Sequence, residues 1–266
     1  MDYAALTAQL RGHRQLARVT THGTVTEGKQ RYPLLRLDTP GTPRVLITAG
    51  FHGEEPAGPL TLARYFPRIA ARAAKKKVGL TVFPCINPSG FELGTRYNAS
   101  EERPNNDFLR YRLADGSEVG ELYGKDPPHQ RWHLFNGGPK ETRAVRQVLK
   151  RVRTPIAALD LHQDNYMRRA ATYAYVFGDA KHYAPLARRS SRHLPLAAHT
   201  QVDPRLTTDA HGFIWFHDGS VTDWFMRRGT PYCATLETTT QSDLADCHAV
   251  NLVWIEGFID LAARAR

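Results

Sequence analysis

Five short runs of almost wholly apolar residues constrain this chain more than any other feature. They are RVLITA at 44–49, VGLTVFPCI at 78–86, PIAALDL at 155–161, TYAYVF at 172–177 and PYCATL at 231–236. Each has the length of a strand and lacks the alternation of a half-exposed one, so both faces of such a strand must be covered. Segments with helical spacing lie among them, at 56–74, 139–153, 180–195, 220–228 and 245–263. A short amphipathic helix is expected over 3–18 and a further strand over Arg31–Asp38. Strands interleaved with helices predict an α/β fold with a mainly parallel sheet. No repeat or linker divides the 266 residues, so one domain is expected. Residues 90–138 and 196–219 show no clean period and read as long loops, and Asn87-Pro88-Ser89-Gly90 reads as a turn.

Several classes of protein are disfavoured. The three cysteines, Cys85, Cys233 and Cys247, cannot all pair and show no CxxC spacing, which argues against a disulfide framework or a cysteine zinc site. No stretch approaches the ~20 apolar residues of a membrane span. The opening MDYAALTAQLRGHRQL has no apolar signal core, so a cytoplasmic protein without a membrane partner is expected. The formal net charge is +10, yet the basic residues are dispersed, and the densest run, 71–77, has the character of a helix end. A solvated basic surface is expected rather than a nucleic-acid interface. The sequence sets no oligomeric state.

Ligands of such sheets gather at the carboxyl ends of the strands. Three unusual groups stand at such ends here: His52 with Glu55, His162, and Glu237. A zinc hydrolase needs three N or O ligands and one open position. His52 and Glu55, three apart on a loop entering a helix, can turn toward one point, and His162 would complete the set from another strand. Asp160 or Asp164 could orient His162, as carboxylates behind metal-bound histidines do. Glu237 could serve as the base for a water beside the metal.

With these residues in order, the chain resembles the M14 metallocarboxypeptidase superfamily, which includes the aspartoacylase and succinylglutamate desuccinylase branch. TAGFHGEEPAG resembles the family's first zinc motif, CINPSGFELGTRYN the following strand and turn, and LDLHQD the strand of the last zinc ligand. GSVTDWFMRRGTPYCATLE resembles the segment ending in the catalytic glutamate, with Gly219-Ser220 and Asp223-Trp224 as its specific pairs. The resemblance implies a single-domain α/β/α sandwich over 1–266, with a mixed, mainly parallel sheet and one Zn²⁺ held by His52, Glu55 and His162. It implies Glu237 as base and Arg96, in GTRY, as the group that stabilises the oxyanion.

Two family features are altered. The usual Asp-Leu-Asn-Arg, which holds the substrate carboxylate, is replaced by RPNNDFLR at 103–110. Asn105 or Asn106 could supply the amide and Arg103 or Arg110 the cation, and Arg110 with Asn106 is the expected choice. The mobile tyrosine before the Gly-Ser pair is missing, and His211, Trp215 or His217 is left to cover the site. Val221 and Thr222, the candidates for the side-chain pocket, carry no charge, so no salt bridge to a basic substrate is expected from them. Arg168 and Arg169 permit an acidic substrate.

The resemblance implies a carboxypeptidase acting on a peptide or peptide-like amide, or else an N-acyl amino acid amidohydrolase acting on an acyl amino acid. A non-catalytic binding protein on this fold is the alternative from another class, and retention of Glu237 beside the three ligand residues argues against it.

Overall fold

The computed structural model describes residues 1–265. Its centre is an eight-stranded sheet. The strands are β1 (Arg18–Glu27), β2 (Gln30–Asp38), β3 (Arg44–Ala49), β4 (Gly79–Phe83), β5 (Ala157–Asp164), β6 (Thr172–Phe177), β7 (Phe213–Ile214) and β8 (Tyr232–Thr239). Their order across the sheet is β1-β2-β4-β3-β5-β8-β6-β7. The four central strands, β4, β3, β5 and β8, run parallel, while β1 and β2 pair antiparallel with their neighbours, and β6 pairs antiparallel with β8 and parallel with β7. The sheet is therefore mixed, with a parallel centre.

Successive residues of a strand face opposite sides of a sheet, and here each side meets its own core. Val45, Ile47, Leu159 and Leu161 pack with helices α1 (Tyr3–Arg11) and α2 (Ala57–Lys75). Leu46, Phe83 and Ala158 face the other way, onto Val145 and Leu149 of Lys140–Leu149 and Trp224 and Phe225 of Val221–Arg227. The C-terminal helix, Leu244–Arg264, shares the first core. Its Phe258 and Ile259 are fully buried beside Phe66 and Ile69 of α2. Each such side chain contributes about 1.5–3 kcal/mol relative to exposure, which favours apolar residues on both faces of the central strands away from the site.

The structure departs from the sequence reading where turn chemistry and side-chain bonding decide. The Asn87-Pro88-Ser89-Gly90 turn is the start of a short helix, Pro88–Leu93, because the Asn87 side chain accepts from Gly90 N at 3.0 Å and caps it. The stretch 90–138 holds a three-stranded sheet of Leu109–Arg112, Glu118–Val119 and Arg131–Leu134. Phe213–Ile214, expected in a loop, joins the central sheet beside β6. β5 continues past His162 to Asp164.

Two contacts lock the strand ends together. Ala57 N, at the start of α2, donates to the Gln163 side chain of β5 at 2.7 Å, satisfying an amide that the helix itself leaves unpaired. A side chain on Gly53 would overlap the backbone of Gly90, so the loop carrying His52 lies directly against the Asn-Pro-Ser-Gly segment.

Candidate active site

His52, Glu55 and His162 each offer one ligand atom, and these atoms lie within 4.8 Å of one another. β3 and β5 are adjacent, so the loop after β3 reaches the end of β5 without a crossover. The Nδ1 atoms of His52 and His162 each stand 2.7 Å from a different oxygen of Glu55. All three residues are 3% exposed. Behind His162, its Nε2 meets Asp160 Oδ2 at 2.9 Å, and Asp160 Oδ1 accepts from Thr48 Oγ1 at 2.7 Å.

The electrostatics follow from burial and these partners. Burial alone would lower the basicity of His162, but Asp160 and Glu55 outweigh it and raise its pKa well above the ordinary value. His52 is lowered to about 4, first by burial, with Glu55 opposing. For Glu55, burial would favour the neutral acid, yet the two imidazoles hold it well below the carboxylate range. Two buried imidazoles aimed at one buried carboxylate form a donor set suited to a divalent ion. The Asp160 contact sets the tautomer that a metal-binding His162 needs, with its proton on Nε2. The residues present therefore fit a metal.

Glu237 lies beside this group. It is paired with His162 in the parallel register of β8 against β5. Its Oε2 is buried and has no hydrogen-bond partner among the described residues. Burial, reinforced by Glu55 and Asp164 and opposed by His162, raises its pKa well above the usual carboxylate value. Arg96 Nη1 reaches Glu55 Oε1 at 3.1 Å and Glu54 Oε1 at 3.2 Å. All of these residues except Glu54 line one cavity of ≈ 300 Å³.

The remaining sequence candidates are distributed differently. Asn106 lines the cavity, but its amide donates to Asp218 Oδ2 at 2.8 Å. Arg110 does not line the cavity. Its guanidinium is held by Asp107 at 3.0 Å and by the carbonyls of Asn106 and Leu109, and it lies 4.0 Å from the Phe135 ring centre. The other candidates for cation and amide, Arg103 and Asn105, face the cavity, and Asn105 Nδ2 lies 3.3 Å from His162 Nε2. His211, Trp215 and His217 are absent from its walls. His217 is fully buried against Asp223 at 2.8 Å.

Asp223 explains its own segment. Its carboxylate accepts from Tyr111 Oη at 2.6 Å and Gly219 N at 3.0 Å, while Trp224 stacks on Phe108. The Gly-Ser and Asp-Trp pairs thus brace the loop instead of touching the cavity. Tyr166, Tyr173, Tyr175, Asp218 and Thr235 also line it and escaped the sequence reading. Tyr173, Tyr175 and Thr235 looked like ordinary strand residues. Asp218 sat in a stretch with no period, although its place beside the Gly-Ser pair was a usable signal.

The description of the succinylglutamate desuccinylase/aspartoacylase catalytic domain matches residues 41–204. The chain belongs to this family. The matched region contains His52, Glu55, Arg96 and His162, and stops before Glu237. Carboxypeptidase 2 of Trichophyton rubrum is 35% identical over 102 residues, 36% of this chain and 19% of that protein. Carboxypeptidase 2 of Trichophyton tonsurans is 33% identical over 102 residues, again 36% of this chain and 19% of the relative. The chain thus spans about a fifth of the length of these curated relatives. A structure assigned as a metallopeptidase from Shewanella amazonensis superposes with a TM-score of 0.75 at 24% identity, covering 98% of this chain and 92% of that one. A metallo-carboxypeptidase from Burkholderia cenocepacia gives 0.65 at 17% identity, with 98% and 69% covered. These likenesses show the shared fold. None of the described helices is long and apolar enough to cross a membrane.

Proposed function

We propose that this family member is a zinc-dependent hydrolase of carboxypeptidase type, that it cuts a C-terminal peptide or peptide-like amide bond, and that residues 1–266 act as one catalytic domain. The observation that carries this reading is Glu237, a buried carboxylate with an unpartnered oxygen, in register with His162. A buried carboxylate with an unpartnered oxygen, beside the three candidate ligands, supports a role in taking a proton from an attacking water.

His52 Nδ1, a Glu55 oxygen and His162 Nδ1 would hold one Zn²⁺. When bound, the ion supplies a Lewis acid for the scissile carbonyl and for water. Glu237 takes the water's proton and returns it to the leaving amine, a task suited to a carboxyl whose pKa is raised. Arg96 donates to the carbonyl oxygen as charge develops on it. Arg103 replaces the expected Arg110 as anchor for the substrate carboxylate, because it lines the cavity beside Glu237 without an ion-pair partner, whereas Arg110 is held by Asp107 and reaches only a neighbouring recess. A second reading, an N-acyl amino acid amidohydrolase, is favoured by the family match over 41–204. It uses the same residues and differs in what lies on the acyl side.

Amine release by zinc-loaded protein from N-blocked dipeptides and from N-acetyl and N-succinyl amino acids tests both, with Glu237→Gln as the blank. Cleavage of the dipeptides supports the carboxypeptidase, and cleavage confined to the acyl amino acids moves the protein to the second reading. Silence on both halves by metal-loaded protein sinks both.

A further inference from the structure

The cavity beside Glu237 runs on into a second recess of ≈ 640 Å³. The two share walls that include Arg103, Asn106 and Asp218. Most charges along this path are matched locally. Arg110 pairs with Asp107 at 3.0 Å, and Arg205 pairs with Glu121 at 3.2 Å. Asp164 accepts from Tyr173 Oη at 3.0 Å and from the backbone of Tyr166. Asp203 lies exposed at the mouth.

Of the charges in the walls that the two cavities share, two lack a counter-ion, since Arg205 and Glu121 pair with each other. Among the described residues, Arg103 has no hydrogen-bond or ion-pair partner, and Asp218 has no cation within ion-pair distance. Neutral donors alone hold the Asp218 carboxylate: Asn106 Nδ2 at 2.8 Å on one oxygen and Ser220 N at 3.0 Å on the other. Burial, and then the charge of Asp223, push its carboxyl up to about 6. A carboxylate in such surroundings gains from an incoming cation. Each oxygen accepts one hydrogen bond and keeps a further acceptor site, which a compact ammonium with rotatable donors can fill.

We infer that this recess selects a leaving amino acid with two charges, its carboxylate on Arg103 and a side-chain ammonium of the lysine or ornithine class on Asp218. The inference rests on the hydrolase reading above and names the substrate class of that site. The charge missing at Val221 and Thr222 is thereby supplied from Asp218, a few residues upstream. Thr222 instead bonds the Thr235 hydroxyl at 2.8 Å, in the wall of the cavity.

The test uses the zinc-loaded full chain and N-blocked dipeptides that differ only in the last residue: lysine, norleucine or glutamate. Lysine should exceed norleucine in kcat/KM by about tenfold or more, and Asp218→Asn should lower that ratio by about tenfold. Glutamate should be the poorest of the three. A wild-type ratio near one, or a ratio that Asp218→Asn leaves untouched, overturns the inference while the hydrolase reading stands. If no dipeptide is cleaved, calorimetry with free lysine and norleucine decides. Lysine-selective binding lost in Asp218→Asn supports the recess and sinks the hydrolase reading, whereas equal or absent binding overturns the recess as well. Because Asp218 also anchors Asn106 and Ser220, its variant is checked for folding by circular dichroism. Arg103→Gln is the second probe: it should weaken lysine and norleucine alike and leave their ratio, and no effect on either would overturn the carboxylate half.

Discussion

Glu237 and His162 are neighbours in the parallel register of β8 against β5, so their side chains leave the same face of the sheet. A one-residue slip of either strand would send one of them into the opposite core. Their juxtaposition is therefore a property of strand pairing, held by seven further register pairs along the same two strands.

Replacing Glu237 by Gln keeps the shape and removes the proposed proton acceptor. Turnover should fall by about 10²–10⁴-fold while bound zinc is retained. Metal analysis and steady-state kinetics on the same preparation check this, and normal turnover would show that the base lies elsewhere.

His52→Ala should strip the metal and leave the sheet folded, because the residue stands on a loop after β3. Asp160→Asn is subtler. Asp160 reaches His162 Nε2 and not the ligand-facing nitrogen, so its loss should weaken metal affinity by about 10–100-fold without abolishing binding. Competition with a chelator of known affinity reads both. Stoichiometric zinc in His52→Ala would refute its role as a ligand.

Arg96→Met removes a charged donor from the cavity wall. Loss of one oxyanion donor typically costs about 10²–10³ in kcat, and KM should change less. A variant that raises only KM would mark Arg96 as a binding residue.

Gln163→Ala leaves the amide at the start of α2 without its acceptor. Losing a cap costs about 0.5–2 kcal/mol, visible as a lowered urea midpoint. Gln163 N also donates to Glu55 Oε2 at 3.1 Å, a backbone contact that the substitution preserves. Metal affinity should consequently change little.

Gly53→Ala places a methyl group against the Gly90 backbone. The loop has to shift, at a cost of about 1–3 kcal/mol typical of overpacking. His52 shifts with it, so stability and zinc affinity should fall together. Loss of one without the other would uncouple the loop from the site.

The buried strands and the titratable groups at their ends were legible in the sequence. Runs such as RVLITA and PIAALDL admit few other placements, because apolar residues dominate both faces. His52, Glu55, His162 and Glu237 stood out because titratable groups at the ends of such strands make poor core. The partners of the loops were not legible. Arg110 and Arg103 occur in the same segment with the same side chain, and local sequence favours neither. Tertiary contacts decide between them: Asp107, two carbonyls and the Phe135 ring hold Arg110, while Arg103 is left facing the cavity. Asp218 is decided the same way, by a bond from Asn106, 112 positions away in the chain. Periodicity records which face of an element is buried. It does not record which charges meet when distant loops close over one end of a sheet.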